Sequence, residues 1–585
     1  MKASVALAAA LFAVYAAGAA RTIYVGDSGE LVTAVHVLGI PHPSGYPLYV
    51  LLGKLWTLAV PLGSIALRMS LFSAACAASA CGTLHWLCRR LGLHPIAAVT
   101  AALLLASAPS FWGEANVQRV YALGALFVVG ATAAALEWRR SRQARPLLLA
   151  FFLCGLGATN HTFMAIYGLA LAAFAFSALR SPRLGSRAAL AFALGLLPYL
   201  YLPFRSRADP PLDWGNPEAL GAFLDVVLRR DFWPRAFLES PADLLPIALD
   251  YGRSLFAESL VAGAALAVVG IAVGRRRGWP VLLPLLVMAA NLMALALHGS
   301  RTDLVVWHRY YIPSYAMLAL LAGMGAHALV ERLPRAARLL PLVVPAALLL
   351  LGWRTFDRSR YRIAEDFSRR LLAGLPPGAH LAASDDNVLF VLLYLHHVEE
   401  VRPDVDLIPQ GVGQAEIPPL RFDPTGDPLF FTHHPNWSLP EIAVVPVGLV
   451  LQVTRAGAPI PPEPKLPDAL DGEHDPRVPQ DYLTQNLVGQ FHFMKGLNRE
   501  ARGDWAGAAR ELRAAAGAAP ENDVLFYNLG LVYERRGLLE EALAAFRRSD
   551  AINPRPIPGG RGALASLRAA EVEREIARVR GHEPP

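Results

Sequence analysis

Long apolar runs broken by short basic connectors fill the first 353 residues. Runs at 3–20, 66–87, 94–111, 117–137, 147–163, 163–179, 188–203, 256–274, 279–298, 312–330 and 338–353 approach the about 20 residues that a helix needs to cross a bilayer core. They predict about eleven spans. Arginine placement tests that reading, because basic loops stay cytoplasmic. With Met1 inside, Arg89-Arg90, Arg139-Arg140-Ser141-Arg142, Arg180 through Arg187, Arg275-Arg276-Arg277 and Arg332 through Arg338 all fall on one side. The outer connectors are then 21–65, 111–117, the turn at Asn160-His161, 204–255, 299–311 and everything after 354. Tyr46–Leu62 is apolar but lacks a basic stop, and reads as an amphipathic helix on the outer surface. The first run exceeds the roughly 7–15 residues of a signal-peptide core. It reads as a retained helix, with a cleaved signal ending at Ala17-Gly18-Ala19-Ala20 as the alternative. Both place Asp27 outside.

After Trp353 the pattern changes, and Asp, Glu, Pro and Arg become frequent. His380–Asn387 and Val405–Pro409 read as strands ending in polar loops, so 354–455 is expected to be a small extracytoplasmic α/β region. Residues 456–484 form a Pro- and Asp-rich linker. Over 485–580, Gly496, Gly503, Ala508 and Pro520 recur 34 residues later as Gly530, Gly537, Ala542 and Pro554. That is the tetratricopeptide period of helix hairpins, with Tyr527, Leu529, Tyr533 and Phe546 at apolar positions and 561–580 as a cap. A partner-binding stack and a purely structural one are equally compatible with it.

Composition sharpens the class. Of 585 residues, 54% are hydrophobic and only 17% charged, against about 25% in soluble domains. The chain is therefore expected to be mainly α, a multi-pass protein of the inner (plasma) membrane. The net charge of +7 comes from clustered arginines and implies no nucleic-acid partner. Cys76, Cys81, Cys88 and Cys154 lie in or beside apolar helices and read as small buried side chains rather than a disulfide or metal site. No glycine-rich phosphate loop precedes a helix, and no Asp-x-Asp pair marks a soluble nucleotide-sugar site.

Candidate chemistry gathers just outside the first helix, in Gly26-Asp27-Ser28-Gly29-Glu30 and Gly39-Ile40-Pro41-His42-Pro43-Ser44-Gly45-Tyr46-Pro47-Leu48-Tyr49. Ionisable groups held at a membrane boundary are costly and mark function. Asp27 and Glu30, three apart on a helical turn, would share a face, where close carboxylates split their pKa values. The competing reading is that Asp27 and Ser28 cap the helix starting near Gly29.

These two runs resemble the transmembrane protein O-mannosyltransferase family. So do Phe111-Trp112 with Val120-Tyr121-Ala122-Leu123, Thr159-Asn160-His161, and Tyr201-Leu202-Pro203-Phe204-Arg205 with Asp209-Pro210-Pro211 and Asp213-Trp214-Gly215-Asn216-Pro217. The resemblance covers about 1–230 closely and the later spans loosely. It implies a GT-C-like multispan glycosyltransferase over 1–353 that takes a sugar, mannose or another hexose, from a polyprenyl-phosphate donor to a protein or glycan at the outer face. It also implies that an acid in the first outer loop is catalytic, a role carried to Asp27 with Glu30 as second choice. Bacterial members of the family often carry C-terminal tetratricopeptide repeats. One position departs: where the family commonly has an acid this chain has Arg119, so either Glu114, five residues earlier, substitutes in part or that acid is not essential here.

The remaining candidates follow from the reaction. A departing phosphate needs cations, and arginine forks suit its oxygens. Arg205, Arg207, Arg301, His308 and Arg309 stand in outer connectors, with snorkelling to headgroups the competing reading for the first two. His42 is read as a donor to phosphate or substrate, or as a buried turn residue. Tyr46, Tyr121 and Trp214 would stack on sugar or anchor at the interface. Asp213 belongs to the same loop motif as Trp214, and His161 reads as structural. No further cofactor is implied, although a divalent metal at Asp27, Glu30 and His42 is compatible with the sequence. Two rival functions remain. A transporter or flippase requires ionisable groups inside spans and two similar halves, whereas these spans are nearly free of charge. An envelope assembly scaffold would act through 485–580.

Overall fold

The structure, a computed structural model, describes residues 1–233, 241, 244–298, 308–410, 428–435, 439–553 and 561–580. Two compact units divide the chain. One comprises 1–299, 306–361 and 476–479; the other comprises 300–305, 362–475 and 480–585.

The first unit is helical. It opens with α1 (Lys2–Ala17), α2 (Ser28–Val37), α3 (Pro47–Ala59) and α4 (Ile65–Arg90). There follow α5 (Pro95–Ser107), α6 (Pro109–Ala115), α7 (Tyr121–Ser141), α8 (Ala144–Ala158) and α9 (Phe163–Phe174). Later come helices Pro182–Gly195, Tyr201–Ser206, Leu220–Val227, Leu244–Arg276, Leu282–His298, Ile312–Arg332 and Val343–Phe356. Among the described residues, five helices are long and apolar enough to cross a membrane, or seven if two bent pairs each count as one span. This differs from the eleven expected. The apolar runs continue through bends of 68° between α5 and α6 and 40° after Gly195, and several apolar helices have 17 residues or fewer. Hydropathy does not register where a helix breaks; Pro109 and Pro198 do, since proline removes a backbone donor.

Small residues set the closest helix contacts. A Cβ on Gly270 would lie 1.9 Å from the Leu321 carbonyl oxygen, and one on Gly325 1.9 Å from that of Leu266. Such positions let apolar backbones meet where water supplies no hydrophobic drive. Polar pairs lock the bundle as well: Ser4 Oγ lies 2.9 Å from His85 Nδ1, and the Tyr15 hydroxyl donates to the Ala106 carbonyl at 2.8 Å. All four cysteines are free and buried.

The second unit holds a five-stranded sheet in the order β2-β1-β3-β5-β4, with β1 His380–Ala383, β2 Asp406–Pro409, β3 Leu429–Phe431, β4 Ile442–Val447 and β5 Val450–Arg455. β1 runs parallel to β2 and β3, and β5 antiparallel to β3 and β4. Helices Tyr482–Ala501, Trp505–Ala518, Asp523–Arg535, Leu539–Ile552 and Arg561–Val579 follow. Asp481, Asp504 and Asn522 cap three of them through backbone N–H groups three residues on. The recurring small residues do equivalent jobs. A Cβ on Gly496 would meet Leu512 at 2.7 Å, and one on Gly530 would meet Phe546 at 2.5 Å. Ala508 and Ala542 are fully buried. Pro554 lies outside the described residues.

Candidate active site

The segment before Asp27 is threaded by the loop between α6 and α7. Gln118 Nε2 donates to the Thr22 carbonyl at 3.1 Å and to Ser70 Oγ at 2.7 Å, while its Oε1 accepts the Tyr24 N–H at 3.2 Å. Arg119 Nη2 then donates to the Val25 carbonyl at 2.8 Å. Gly26 turns the chain with φ +74°, a left-handed value that glycine adopts without strain. Asp27 follows at the N-cap of α2, yet its carboxylate makes no capping bond. The capping alternative therefore does not describe its side chain. Asp27 Oδ2 faces Arg309 Nη1 at 3.8 Å. Burial alone would raise the Asp27 carboxyl, but Arg309, Arg119, His42 and Arg229 hold it down at about 2.

Glu30, one turn along α2, is wholly buried and committed elsewhere. Its Oε1 accepts the His42 backbone N–H at 2.8 Å, and its Oε2 meets His42 Nδ1 at 2.5 Å. His42 Nε2 lies 2.8 Å from the Tyr46 hydroxyl. Burial would lower His42, but its bond to Glu30 and the nearby Asp27 raise it above the ordinary histidine range. Burial pushes the Tyr46 hydroxyl up, so it stays protonated. The geometry thus separates the two acids: one is bound into a histidine chain and the other faces guanidinium groups. Gly45 (φ +79°) and Tyr46 (φ +41°) form the turn that starts α3 and brings Tyr46 back over His42.

The remaining wall is cationic and aromatic. Arg309 stacks on Tyr121 and Tyr310, each 5.5 Å from its guanidinium. His161 lies 5.8 Å from Tyr121, ring to ring. Arg119, only 3% exposed, stands 3.8 Å from Glu114. Arg119 thus adds another cation acting on Asp27. Arg229, absent from the candidates above, joins them: it stacks on Phe232 at 4.9 Å and interacts with the Tyr46 hydroxyl. The Nε atoms of Arg119, Arg229 and Arg309 are buried without a hydrogen-bond partner among the described residues. With His42 protonated against Glu30, two carboxylates, Asp27 and Glu114, face three guanidiniums. A buried excess of positive charge is costly unless an anion joins it.

A cavity of about 700 Å³ opens at this point. His161, Arg229 and Tyr310 form one part of its lining; Phe163, Ile166, Phe192, Leu196, Leu200 and Phe223 supply apolar walls. The site thus joins a fixed carboxylate, buried anion-seeking donors and a greasy groove.

Several candidates take other places. Arg205 donates from Nε to the Leu38 carbonyl at 2.6 Å and from Nη2 to the Val37 carbonyl at 3.0 Å. It closes the C-terminus of α2 rather than offering a free fork to phosphate. Arg207 is exposed at the end of helix Tyr201–Ser206. Asp213 accepts from Ser206 Oγ at 2.7 Å. Its neighbours Leu212 and Trp214 bond the backbone of Ile40, so this loop braces the His42 turn. The Trp214 ring lies 6.1 Å from His42, and its Nε1 donates to Asp231 at 3.1 Å. His308 pairs with Asp250 at 3.4 Å. Arg301 lies outside the described residues. Among the described residues no group of three His, Cys, Asp or Glu side chains is arranged to hold a metal. Glu30 and His42 satisfy each other, so the suggested Asp27–Glu30–His42 metal set does not fit.

A family model described as the Protein O-mannosyl-transferase TMEM260 N-terminal domain matches residues 27–183. The chain is 28% identical over 486 residues to Protein O-mannosyl-transferase TMEM260 of Mus musculus, covering 77% of this chain and 68% of the relative. It is 23% identical over 473 residues to the Dictyostelium discoideum protein of that name, covering 69% of this chain and 56% of that one. The fold is similar to that of ArnT from Cupriavidus metallidurans bound to undecaprenyl phosphate, with a TM-score of 0.50, 14% identity and coverage of 77% and 98% of the two chains. The apo form gives the same score at 15% identity.

Proposed function

We propose that this chain, similar to the TMEM260 protein O-mannosyl-transferases in sequence and to ArnT in fold, is a membrane glycosyltransferase that moves a hexose, mannose first among the candidates, from a polyprenyl-phosphate carrier to a hydroxyl of a protein or glycan at the outer face of the membrane. One observation carries this reading. Arg229, whose buried Nε lacks a partner among the described residues, lines the apolar groove and, with Arg309, acts electrostatically on Asp27. A prenyl chain suits the groove walls and a phosphate suits the guanidiniums. The likeness to ArnT bound to undecaprenyl phosphate supports a lipid carrier of this kind.

The acceptor oxygen forms a bond to the anomeric carbon, the bond from that carbon to the phosphate oxygen breaks, and polyprenyl phosphate leaves. Asp27 accepts the hydroxyl's proton, and Arg229 and Arg309 hold the charge that grows on phosphate. A carboxyl held at about 2 is a feeble base in the empty site. The donor phosphate offsets the same guanidiniums, so Asp27 strengthens as a base when the donor is bound.

The C-terminal region stands on that same outer face. Its support is the chain path within the first unit: Tyr361 ends it against the segment leading to Asp27, accepting from Thr22 Oγ at 2.8 Å and stacking on Tyr24 at 4.3 Å. The tetratricopeptide reading of 485–580, and a protein partner there, rest on the 34-residue register.

The test is reconstitution of the purified protein with polyprenyl-phosphate hexoses and a peptide mixture, read by mass gain. Wild type should add hexose. Asp27→Asn should lower turnover by about 10²–10⁴-fold, the usual worth of general-base catalysis, with carrier binding intact. Full activity in Asp27→Asn would remove its role.

A further inference from the structure

Glu30, His42 and Tyr46 form a chain of hydrogen bonds that the transfer step itself does not use. Both Glu30 oxygens are occupied by His42, one by its backbone N–H and one by Nδ1. The protonated ring donates from Nδ1 to Glu30 and from Nε2 to the Tyr46 hydroxyl oxygen at 2.8 Å. That bond fixes the phenol, whose oxygen keeps a second lone pair for the Arg229 guanidinium; Arg229 and His42 share the Phe232 ring as a neighbour. The chain therefore runs acid, imidazole, phenol, guanidinium.

Arg229 needs such a hold. It sits alone in a left-handed turn (φ +58°) between helix Leu220–Val227 and the short helical turn Arg230–Phe232. No carboxylate pairs with it among the described residues, and its Nε has no partner there. The Phe232 ring beneath it restrains the plane of the guanidinium but not its rotation within that plane. His42 is ringed by Tyr46, Trp214 and Phe232 at 4.9, 6.1 and 6.2 Å, so the imidazole itself cannot swing.

We propose that Glu30, His42 and Tyr46 are positioning residues that hold Arg229 across the mouth of the groove and so set the affinity for the carrier phosphate, while Asp27 governs the transfer step. This rests on the polyprenyl-phosphate reading above and assigns Glu30 to donor binding rather than to proton transfer.

Full-length protein in nanodiscs, titrated with undecaprenyl phosphate without sugar and followed by tryptophan fluorescence, tests it. Tyr46→Phe and His42→Ala should each weaken carrier binding about tenfold, the worth of one hydrogen bond to a charged group. The donor KM should rise by the same factor with kcat within about threefold, while Asp27→Asn shows the opposite split. His42→Gln, which keeps a donor and an acceptor, should recover most of the loss and guards against a misfolded His42→Ala. In an Arg229→Ala background, Tyr46→Phe should have no further effect, because partners acting through one group are not additive. Equal weakening in both backgrounds, or a fall in kcat or acceptor use with carrier binding intact, would overturn the positioning role. Failure of wild type to bind the carrier would instead sink the donor reading, and this inference with it.

Discussion

Arg205 and Arg229 show how far residue type falls short of residue role. Both are arginines in the long outer connector region, and only one has donors to spare. Arg205 satisfies the last carbonyls of α2, which a helix C-terminus leaves without partners. Arg229 holds a buried, unpartnered Nε in the groove wall. Replacing Arg229 or Arg309 with Ala should therefore weaken carrier binding by roughly 10–100-fold, since each removes charge-assisted bonds worth about 1.5–3 kcal/mol. Arg205→Ala should cost about 1–3 kcal/mol of stability and affect donor and acceptor use alike. Carrier titrations beside thermal melts of the three variants decide it; a selective loss of donor affinity in Arg205→Ala would restore that residue to the phosphate site. The sequence placed Asp27, His42 and Tyr46 together because their motif is contiguous and carries a family resemblance. It missed Arg229 because nothing local distinguishes one arginine in a connector of some fifty residues. The distant packing of Tyr46 gives Arg229 its meaning. It likewise paired Asp27 with Glu30 by helical spacing, since spacing cannot show that His42 returns to claim Glu30.

At the scale of elements, periodicity was a better guide than hydropathy. The 34-residue register named Gly496, Ala508, Gly530 and Ala542, which are buried or closely met by a neighbouring helix, and Gly503 and Gly537, which take left-handed turns. Span ends were less legible, because an apolar run is indifferent to the break at Pro109. The first of those C-terminal helices, Tyr482–Ala501, also carries a buried ionic knot that no repeat pattern announces. His492 is held between two acids, bonding Glu511 through Nδ1 and Glu473 through Nε2, both at 2.7 Å. Lys495 reaches Glu511 at 3.1 Å. Burial would lower His492, but the two carboxylates raise it to about 9. Because the folded value lies above the unfolded one of about 6.5, this stabilisation is complete below pH 6.5. It fades as pH rises towards 9. Glu473 and Glu511, both lowered by His492 against the effect of burial, lose their share below their ordinary range near 4.5. The unit containing this helix should therefore be most stable between about pH 5 and 6.5, losing about 2–3 kcal/mol by pH 9. Differential scanning fluorimetry across that range should show its melting transition falling in wild type and flattened in His492→Gln. A transition that stays level in wild type would mean the knot does not bind protons as the distances imply.

For the whole molecule, the orientation of the bundle decides which compartment the chemistry faces. α4, α7 and helix Ile312–Arg332 all begin near the candidate site. Ala66 and Ser70 of α4 contact Gln118, Tyr121 opens α7 against Arg309, and Arg309 itself precedes Ile312. All three end in arginine: Arg89 and Arg90, Arg139 and Arg140, and Arg332. Basic ends stay in the cytoplasm, so Asp27 is expected to face the other compartment. Single cysteines in a background lacking Cys76, Cys81, Cys88 and Cys154 test this in sealed right-side-out vesicles. Ala208→Cys, on the connector that braces the His42 turn, should react with a membrane-impermeant maleimide at once. Ser186→Cys, exposed near the start of helix Pro182–Gly195, should react only after the vesicles are opened. Gly517→Cys, exposed in helix Trp505–Ala518, should behave like Ala208→Cys if the C-terminal region shares the outer face. The reverse pattern at 186 and 208 would put the carboxylate and its three guanidiniums in the cytosol. The site would then meet carriers on the cytosolic leaflet, and transfer at the outer face could not stand, whatever the groove admits.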